Sequence, residues 1–335
     1  MKKNTTETPS NNDFTIVIHG GAGTIKKKYF TPELEAEYRN TLQEALLAGK
    51  EKLNHGGLAV EAVEIVIKVM ENSPLFNAGK GSVFSNTGIQ EMDASIMDGR
   101  DLSCGAVAGV TNLKNPIEGA RLVKDSTKHV LLYGARAQEF CIDKGATYAD
   151  SSYFFTKKRW DQWQRALKKD QIKLDHSEIM NKGDKTQYLD SKKFGTVGCV
   201  IVDQYGNVAA ATSTGGLTNK KYGRIGDSPI IGAGTYADNK TCAVSCTGRG
   251  EFFIRGTIAR DIAAIMQYKE VPLAEAAELT MAKLNSIKDG DKKGKGGFIA
   301  VDNQGNYVML FNTRGMYRGI ITKNTSPTVK IFKDE

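Results

Sequence analysis

Two hydrophobic rhythms alternate along the chain. From residue 58 to about 71, apolar side chains at Val60, Val63, Ile67 and Met70 keep a three-four spacing, which lines them up on one face of a helix. A longer helix is predicted just before it, with Thr31 as N-cap, Pro32 at the first helical position and Gly56-Gly57 as the stop after His55. Asn72-Ser73-Pro74 breaks the second helix, and a glycine-rich loop runs from Phe76 to Gly81. The other rhythm is a short, unbroken apolar run, expected of strands covered on both faces. Residues 14–18 form the first such run and end in His19-Gly20-Gly21; residues 92–97 and 104–110 follow. Further helices are predicted over residues 116–123 and 130–144.

From about residue 150 to 193 the pattern loosens. Trp160, Trp163 and Leu167 suit one amphipathic helix, but the rest is polar and lysine-rich, so the stretch reads as a linker that ends at Gly195-Thr196. Beyond it lies a weak internal repeat. An apolar run from Val197 passes through Asp203-Gln204-Tyr205-Gly206-Asn207 to Val208, and another from Gly297 passes through Asp302-Asn303-Gln304-Gly305-Asn306 to Val308. Each is a hairpin signature. Between them, helices are predicted over residues 251–267 and 272–287. Hairpin sheets packed face to face with helices outside give an α+β, four-layer αββα sandwich. It forms one domain over residues 14–335, behind a polar tail of residues 1–13.

Composition adjusts this picture little. A chain of 335 residues exceeds the usual domain but fits one large sandwich, and 40% hydrophobic with 25% charged residues suits a substantial core. The net charge of +8 raises the question of nucleic acid. Many of the lysines and arginines gather between residues 156 and 193, and no RNA-reading motif or zinc finger accompanies them, so no nucleic-acid partner is expected. Five cysteines without a CxxC pair argue for a reducing compartment, and the expected location is cytoplasmic. The first residues hold no apolar signal core; the alternative is periplasmic, with an export signal already removed. No apolar run approaches the roughly 20 residues of a membrane span. Ala78-Gly79-Lys80-Gly81-Ser82 lacks P-loop spacing, and Lys26 stands where a dinucleotide fingerprint needs its third glycine. Four scattered histidines offer no catalytic zinc site, and His19 reads as a hydrogen-bonded structural histidine at a strand end.

The candidate chemistry centres on Gly195-Thr196. A threonine hydroxyl is a poor nucleophile without an adjacent base, whereas a chain-terminal amine titrates at about 8, close to working pH. Cutting the Gly195–Thr196 bond would create both in one residue. The hydroxyl can break that bond itself: it attacks the Gly195 carbonyl, the acyl group shifts from nitrogen to oxygen, and water hydrolyses the ester. Thr214 ends the strand that pairs with the one Thr196 begins, so antiparallel pairing brings the two hydroxyls near each other. Arg224 and Asp227, set among glycines, offer a cation and an anion complementary to the carboxylate and ammonium of an α-amino acid. At the strand-to-helix junction Cys246-Thr247-Gly248, the Gly248 N–H and Thr247 hydroxyl form an oxyanion-hole candidate. Each element alone has an ordinary structural explanation; together they specify a catalytic site.

Together these segments resemble the plant-type L-asparaginase/isoaspartyl peptidase family of N-terminal-nucleophile hydrolases. The resemblance covers nearly the whole chain. It begins at His19-Gly20-Gly21-Ala22-Gly23 and continues through Pro74-Leu75-Phe76-Asn77-Ala78-Gly79, Met92-Asp93-Ala94-Ser95-Ile96-Met97-Asp98-Gly99 and Asn115-Pro116-Ile117. Past the Gly195-Thr196 junction it ends at Asn312-Thr313-Arg314-Gly315-Met316-Tyr317-Arg318. It implies that Thr196 is the nucleophile of a β-aspartyl acyl-enzyme, that Thr214 orients it, and that Arg224 and Asp227 bind the substrate's α-carboxylate and α-amine. Thr247 and Gly248 would form the oxyanion hole, with Asn77 beside the nucleophile. The family's structural sodium loop, built from main-chain carbonyls, matches Met70, Glu71, Ser73, Phe76, Ala78 and Lys80; Lys80 is an unusual charge there. Arg249 occupies a variable position near the pocket, where it bears on leaving-group preference. The implied enzyme needs no catalytic cofactor. It cleaves itself into residues 1–195 and 196–335, which stay associated, and two such heterodimers pair. Its substrates would be L-asparagine and β-aspartyl dipeptides. Glycosylasparaginase is the alternative within the class, although Thr214-Gly215-Gly216-Leu217-Thr218-Asn219 looks more like the asparaginase branch. A non-enzymatic nucleotide-binding module on the Gly20–Gly23 turn is the alternative from another class.

Overall fold

A computed structural model describes residues 13–169 and 195–335. The expected tail, apart from Asp13, and the linker residues 170–194 lie outside the described residues.

In the first half the elements run β1 (Thr15–Gly23), α1 (Pro32–Asn54), α2 (Ala59–Glu71), β2 (Met92–Asp98), β3 (Cys104–Val110) and α3 (Pro116–Ser126). They continue as β4 (Leu131–Tyr133), α4 (Gly134–Asp143), α5 (Ser151–Phe154) and α6 (Lys157–Lys168). After the junction come β5 (Val197–Val202), β6 (Val208–Thr214), β7 (Thr235–Ala237), β8 (Cys242–Gly248), α7 (Gly250–Gly256), α8 (Ile258–Lys269) and α9 (Leu273–Ser286). The chain closes with β9 (Lys288–Asp289), β10 (Lys292–Lys293), β11 (Gly296–Asp302), β12 (Tyr307–Phe311), β13 (Gly315–Thr322) and β14 (Thr328–Phe332). No helix among the described residues is long and apolar enough to cross a membrane.

An eight-stranded sheet has the order β14-β13-β1-β5-β6-β2-β3-β4, and a four-stranded sheet the order β12-β11-β8-β7. Side-chain alternation sorts the core into two zones. Ile16, Ile18, Cys199, Ile201, Ala209 and Ala211 face the layer of α1, α2 and α3. Val17, Val200, Val202, Val208 and Ala210 face the second sheet, whose Val244, Phe298 and Ala300 share a core with residues of α8 and α9. Both faces of each sheet are thus covered, which explains the unbroken apolar runs. Strands from either side of the Gly195–Thr196 junction interleave: β1 lies between β13 and β5, and β2 lies between β6 and β3.

The helix starts follow the sequence. The Thr31 hydroxyl accepts from Leu34 N at 3.3 Å, and the Glu61 carboxylate accepts from Leu58 N at 3.0 Å. Three expectations need correction. The helix expected from residue 130 begins at Gly134, where φ is 67°; the residues before it form β4, parallel to β3. The helix expected over residues 251–267 is two helices, split at Thr257 in the left-handed conformation with φ 47°. There the Gly232 and Ala233 carbonyls take the Arg260 and Ala259 amides at 2.8 and 3.1 Å, satisfying first-turn donors of α8. Finally, residues 151–168 are not linker but α5 and α6, the latter being the amphipathic helix that Trp160, Trp163 and Leu167 suit. The fully buried Arg159 donates to Gly81 O at 2.7 Å, and Trp163 stacks on Phe84 with centroids 5.6 Å apart.

Candidate active site

Thr196 stands just before β5, one step ahead of the Val197–Ser213 pair in the β5–β6 ladder, and this register sets it beside Thr214. Its hydroxyl donates to Thr214 Oγ1 at 3.1 Å, and that oxygen also accepts from Gly216 N at 3.0 Å. Thr196 is 8% exposed and lines a cleft together with Gly195, Thr214, Arg224, Asp227, Thr247 and Gly248. The junction itself is fitted against the end of β1. Gly21 has φ 108°, and a Cβ there would lie 2.7 Å from Gly195 N and 3.0 Å from Gly195 O. Only glycine allows that approach.

Asn77 belongs to the same region. Its amide donates to Gly216 O at 2.8 Å, its side-chain oxygen accepts from Val83 N at 3.0 Å, and its carbonyl accepts from Gly215 N at 2.9 Å. It therefore clamps the turn that follows Thr214. Thr247 is buried at the end of β8 and accepts from Ala22 N at 3.4 Å, which leaves its own proton available to donate. At Gly248, which lines the cleft, a Cβ would come within 2.6 Å of both Lys295 O and Phe253 Cε2, so only glycine lets the end of β8 pack this closely there.

Arg224 and Asp227 face the same cleft but are not joined by a salt bridge. Arg224 donates through Nε and Nη2 to the Glu251 carboxylate at 3.0 and 3.2 Å. Its Nη1 edge lies toward Gly226, where a Cβ would stand 2.9 Å away. Burial pushes Glu251 up, but the hydrogen bond and charge of Arg224 outweigh it and hold the carboxyl below its usual range. Asp227 is 4% exposed, and its Oδ2 has no hydrogen-bond partner among the described residues. Burial pushes its carboxyl up to about 7, with the Arg224 charge the main opposing influence. A buried carboxylate oxygen that lacks a donor suits an incoming ammonium. Glu251 had no distinguishing mark in the sequence, since an acid in the first turn of a helix is commonplace. Arg249, from the turn between Gly248 and α7, lies 3.5 Å from Glu251 and 3.3 Å from Asp289.

The loop after α2 packs its glycines against main-chain carbonyls. A Cβ at Gly79 would fall 2.4 Å from Glu71 O, and one at Gly81 would fall 2.0 Å from Phe76 O. Among the described residues no group of three or more acidic, histidine or cysteine side chains could hold a metal. An ion at this loop would therefore have to rest on main-chain oxygens, two of which, Met70 O and Ala78 O, also accept from Ser73 N and Gly81 N at 3.3 and 3.2 Å. The Lys80 ammonium lies 5.2 Å from the centre of the Tyr153 ring, a cation–π partner for its charge.

A sequence profile of the asparaginase family matches residues 12–331. A putative isoaspartyl peptidase/L-asparaginase of Dictyostelium discoideum is 46% identical, over 93% of this chain and 94% of that protein. The isoaspartyl peptidase of Escherichia coli is 44% identical over 96% of each chain, and that of Salmonella typhimurium is 43% identical over 96% of this chain and all of its own.

Proposed function

The chain belongs to the asparaginase family, and from that premise we propose a self-processing isoaspartyl peptidase that also hydrolyses L-asparagine. The observation that carries the reading is the 3.1 Å contact between the Thr196 and Thr214 hydroxyls, at a glycine-threonine junction that shares its cleft with Arg224 and Asp227. In the precursor, Thr196 Oγ1 attacks the Gly195 carbonyl. The peptide becomes an ester through an N-to-O shift, and water releases residues 1–195 and leaves a free amine on Thr196.

That amine is the base for turnover. It takes the proton of Thr196 Oγ1 as the oxygen attacks the β-carbonyl of the substrate, while Thr214 keeps the hydroxyl oriented. The Gly248 N–H and Thr247 hydroxyl receive the charge that develops on the carbonyl oxygen; one such donor is worth roughly 3 kcal/mol. The leaving group departs as ammonia from asparagine, or as an amino acid from a β-aspartyl dipeptide. Water then hydrolyses the β-aspartyl ester on Thr196 to release aspartate. Arg224 offers its Nη1 edge to the substrate's α-carboxylate, with Glu251 holding the opposite edge, and Asp227 receives the α-ammonium. Asn77 keeps the turn after Thr214 in place.

In the same reading the carbonyls of Met70, Glu71, Ser73, Phe76, Ala78 and Lys80 would hold a structural sodium ion, which would brace the loop that carries Asn77. Two processed heterodimers pair. The compartment is the cytoplasm, a choice supported by five unpaired thiols. The names of the relatives favour this activity over glycosylasparaginase.

The test is direct. After purification, intact-mass measurement should find a cut between Gly195 and Thr196, and the cut protein should release aspartate from β-Asp-Leu and from asparagine. An uncut chain with full activity would rule the mechanism out.

A further inference from the structure

Behind Thr196 a line of buried polar side chains crosses the space between the two sheets. His19 Nδ1 lies 3.1 Å from Thr196 O, and His19 Nε2 lies 3.0 Å from Ser245 Oγ. Ser245 Oγ lies 2.7 Å from Thr212 Oγ1, which lies 2.6 Å from Thr235 Oγ1. Thr235 Oγ1 is 2.8 Å from Ser95 Oγ, whose proton also reaches Ser228 O at 2.6 Å. All five side chains from His19 to Ser95 are fully buried. The line therefore runs from the carbonyl of the nucleophile to the residue that follows Asp227.

Its direction is fixed by counting protons. A carbonyl oxygen can only accept, so His19 Nδ1 must carry the hydrogen that faces Thr196. Burial pushes the His19 ring down to about 3, against the hydrogen bond it donates to Thr196 O, so the ring is neutral and Nε2 has only a lone pair to offer. Ser245 must then donate to Nε2, Thr212 to Ser245, and Thr235 to Thr212, because each hydroxyl has one proton. Ser95, whose one proton is shared between Thr235 Oγ1 and Ser228 O, ends the chain. The tautomer of a histidine is set by the hydrogen bond its other nitrogen makes. Gly198 makes this contact possible: it is the cross-strand partner of His19, and a Cβ there would lie 2.2 Å from His19 Nε2 and 2.1 Å from Ser245 Oγ.

We propose that His19 is a positioning residue whose Nδ1–H holds the Thr196 carbonyl in place, and that the hydroxyls of Ser245, Thr212, Thr235 and Ser95 hold its ring by a one-way chain ending in a donor to Nε2. The inference rests on Thr196 being the nucleophile. A fixed carbonyl fixes the Thr196 peptide plane, and with it the direction of the hydroxyl and of the amine that cleavage releases. At its other end the chain ties Ser228, and so the Asp227 turn, to the same frame. The chain moves no proton; it is a register between nucleophile and ammonium site.

The test compares the full-length parent with Ser245→Ala, Thr212→Val and the hydroxyl-retaining Thr212→Ser. Three quantities are measured: the rate of self-cleavage, kcat and KM for β-Asp-Leu on cut protein, and the ¹⁵N signature of the His19 ring, assigned with His19→Gln. The parent should show one neutral Nδ1–H tautomer. Ser245→Ala should take the donor from Nε2 and shift its ¹⁵N signal, and both Ser245→Ala and Thr212→Val should lower kcat and the self-cleavage rate by roughly ten- to a hundredfold, with KM little changed. Thr212→Ser should stay with the parent. A parent-like Nε2 signal in Ser245→Ala, or a parent-like kcat in Ser245→Ala and Thr212→Val, would overturn the proposal. If the parent itself neither cuts nor hydrolyses, the proposed function falls, and the Nε2 signal still decides whether the hydroxyls hold the His19 ring.

Discussion

The hairpins β5–β6 and β11–β12 are built on the same turn. Asp203 Oδ1 accepts from the Tyr205 and Asn207 amides at 3.0 and 2.9 Å, and Asp302 Oδ1 accepts from the Gln304 and Asn306 amides at 3.0 and 2.9 Å. At their other ends they differ completely. β5 is buried along its length between β1 and β6, and its entry, Gly195-Thr196, faces the cleft. β11 enters at Gly296, where a Cβ would lie 2.3 Å from Thr247 O and 2.6 Å from the Phe253 ring. Its partner β12 is a sheet edge, partly exposed along its length. The turn dictates that a hairpin forms; the residue entering its first strand dictates whether chemistry is possible. An internal repeat is therefore evidence about folding, and carries no information on which copy is active.

Four measurements would break or sharpen this contrast. The largest effect is expected from Thr196→Ala, which should leave one uncut, inactive chain on a denaturing gel. The matching change at the entry of β11, Lys295→Ala, should alter neither cutting nor turnover, and a loss there would erase the distinction. Next, Arg224→Ala asks whether the β5 entry depends on groups from outside its hairpin. It should lower kcat/KM for asparagine and for β-Asp-Leu alike by roughly a hundredfold or more, while the Gly195–Thr196 cut still occurs; damage to one substrate alone would refute the assigned role.

A moderate effect is expected from pH. Asp227 must be ionised to hold an ammonium, and its folded carboxyl sits at about 7. Calorimetric affinity for L-aspartate should therefore weaken as pH falls below that value, and Asp227→Asn should bind weakly and lose the dependence. The sign for stability is opposite. A raised carboxyl pKa means that ionising Asp227 costs the folded state, so this contribution declines as pH rises toward 7. The smallest effect belongs to the turns. Asp203 also accepts from Ala59 N at 2.9 Å, at the start of α2, so Asp203→Ala removes a helix cap as well as a turn. Thermal unfolding should show a loss of about 1–3 kcal/mol for Asp203→Ala and less for Asp302→Ala.

Much of this was legible in the chain. The apolar runs marked the strands, and the repeated Asp-x-x-Gly-Asn turn fixed a register from which the meeting of Thr196 and Thr214 followed. Other features were hidden for physical reasons. The apolar spacing of α7 continues into α8, so the left-handed Thr257 leaves no trace in periodicity. Residues 151–168 looked like linker because the side chain they bury most deeply is an arginine, Arg159. Glu251 looked like any acid at a helix start. The hydroxyls behind His19 come from β2, β6, β7 and β8, and only the packing of one sheet on the other reveals that they touch.

The interleaving of strands from either side of the junction has a consequence for the severed protein. Neither fragment owns the eight-stranded sheet, since pulling them apart would strip both flanks of β1 and expose several unpaired edges at once. The two pieces should therefore melt in a single transition. Isotopically heavy and light copies, mixed after maturation, should not trade halves short of complete unfolding.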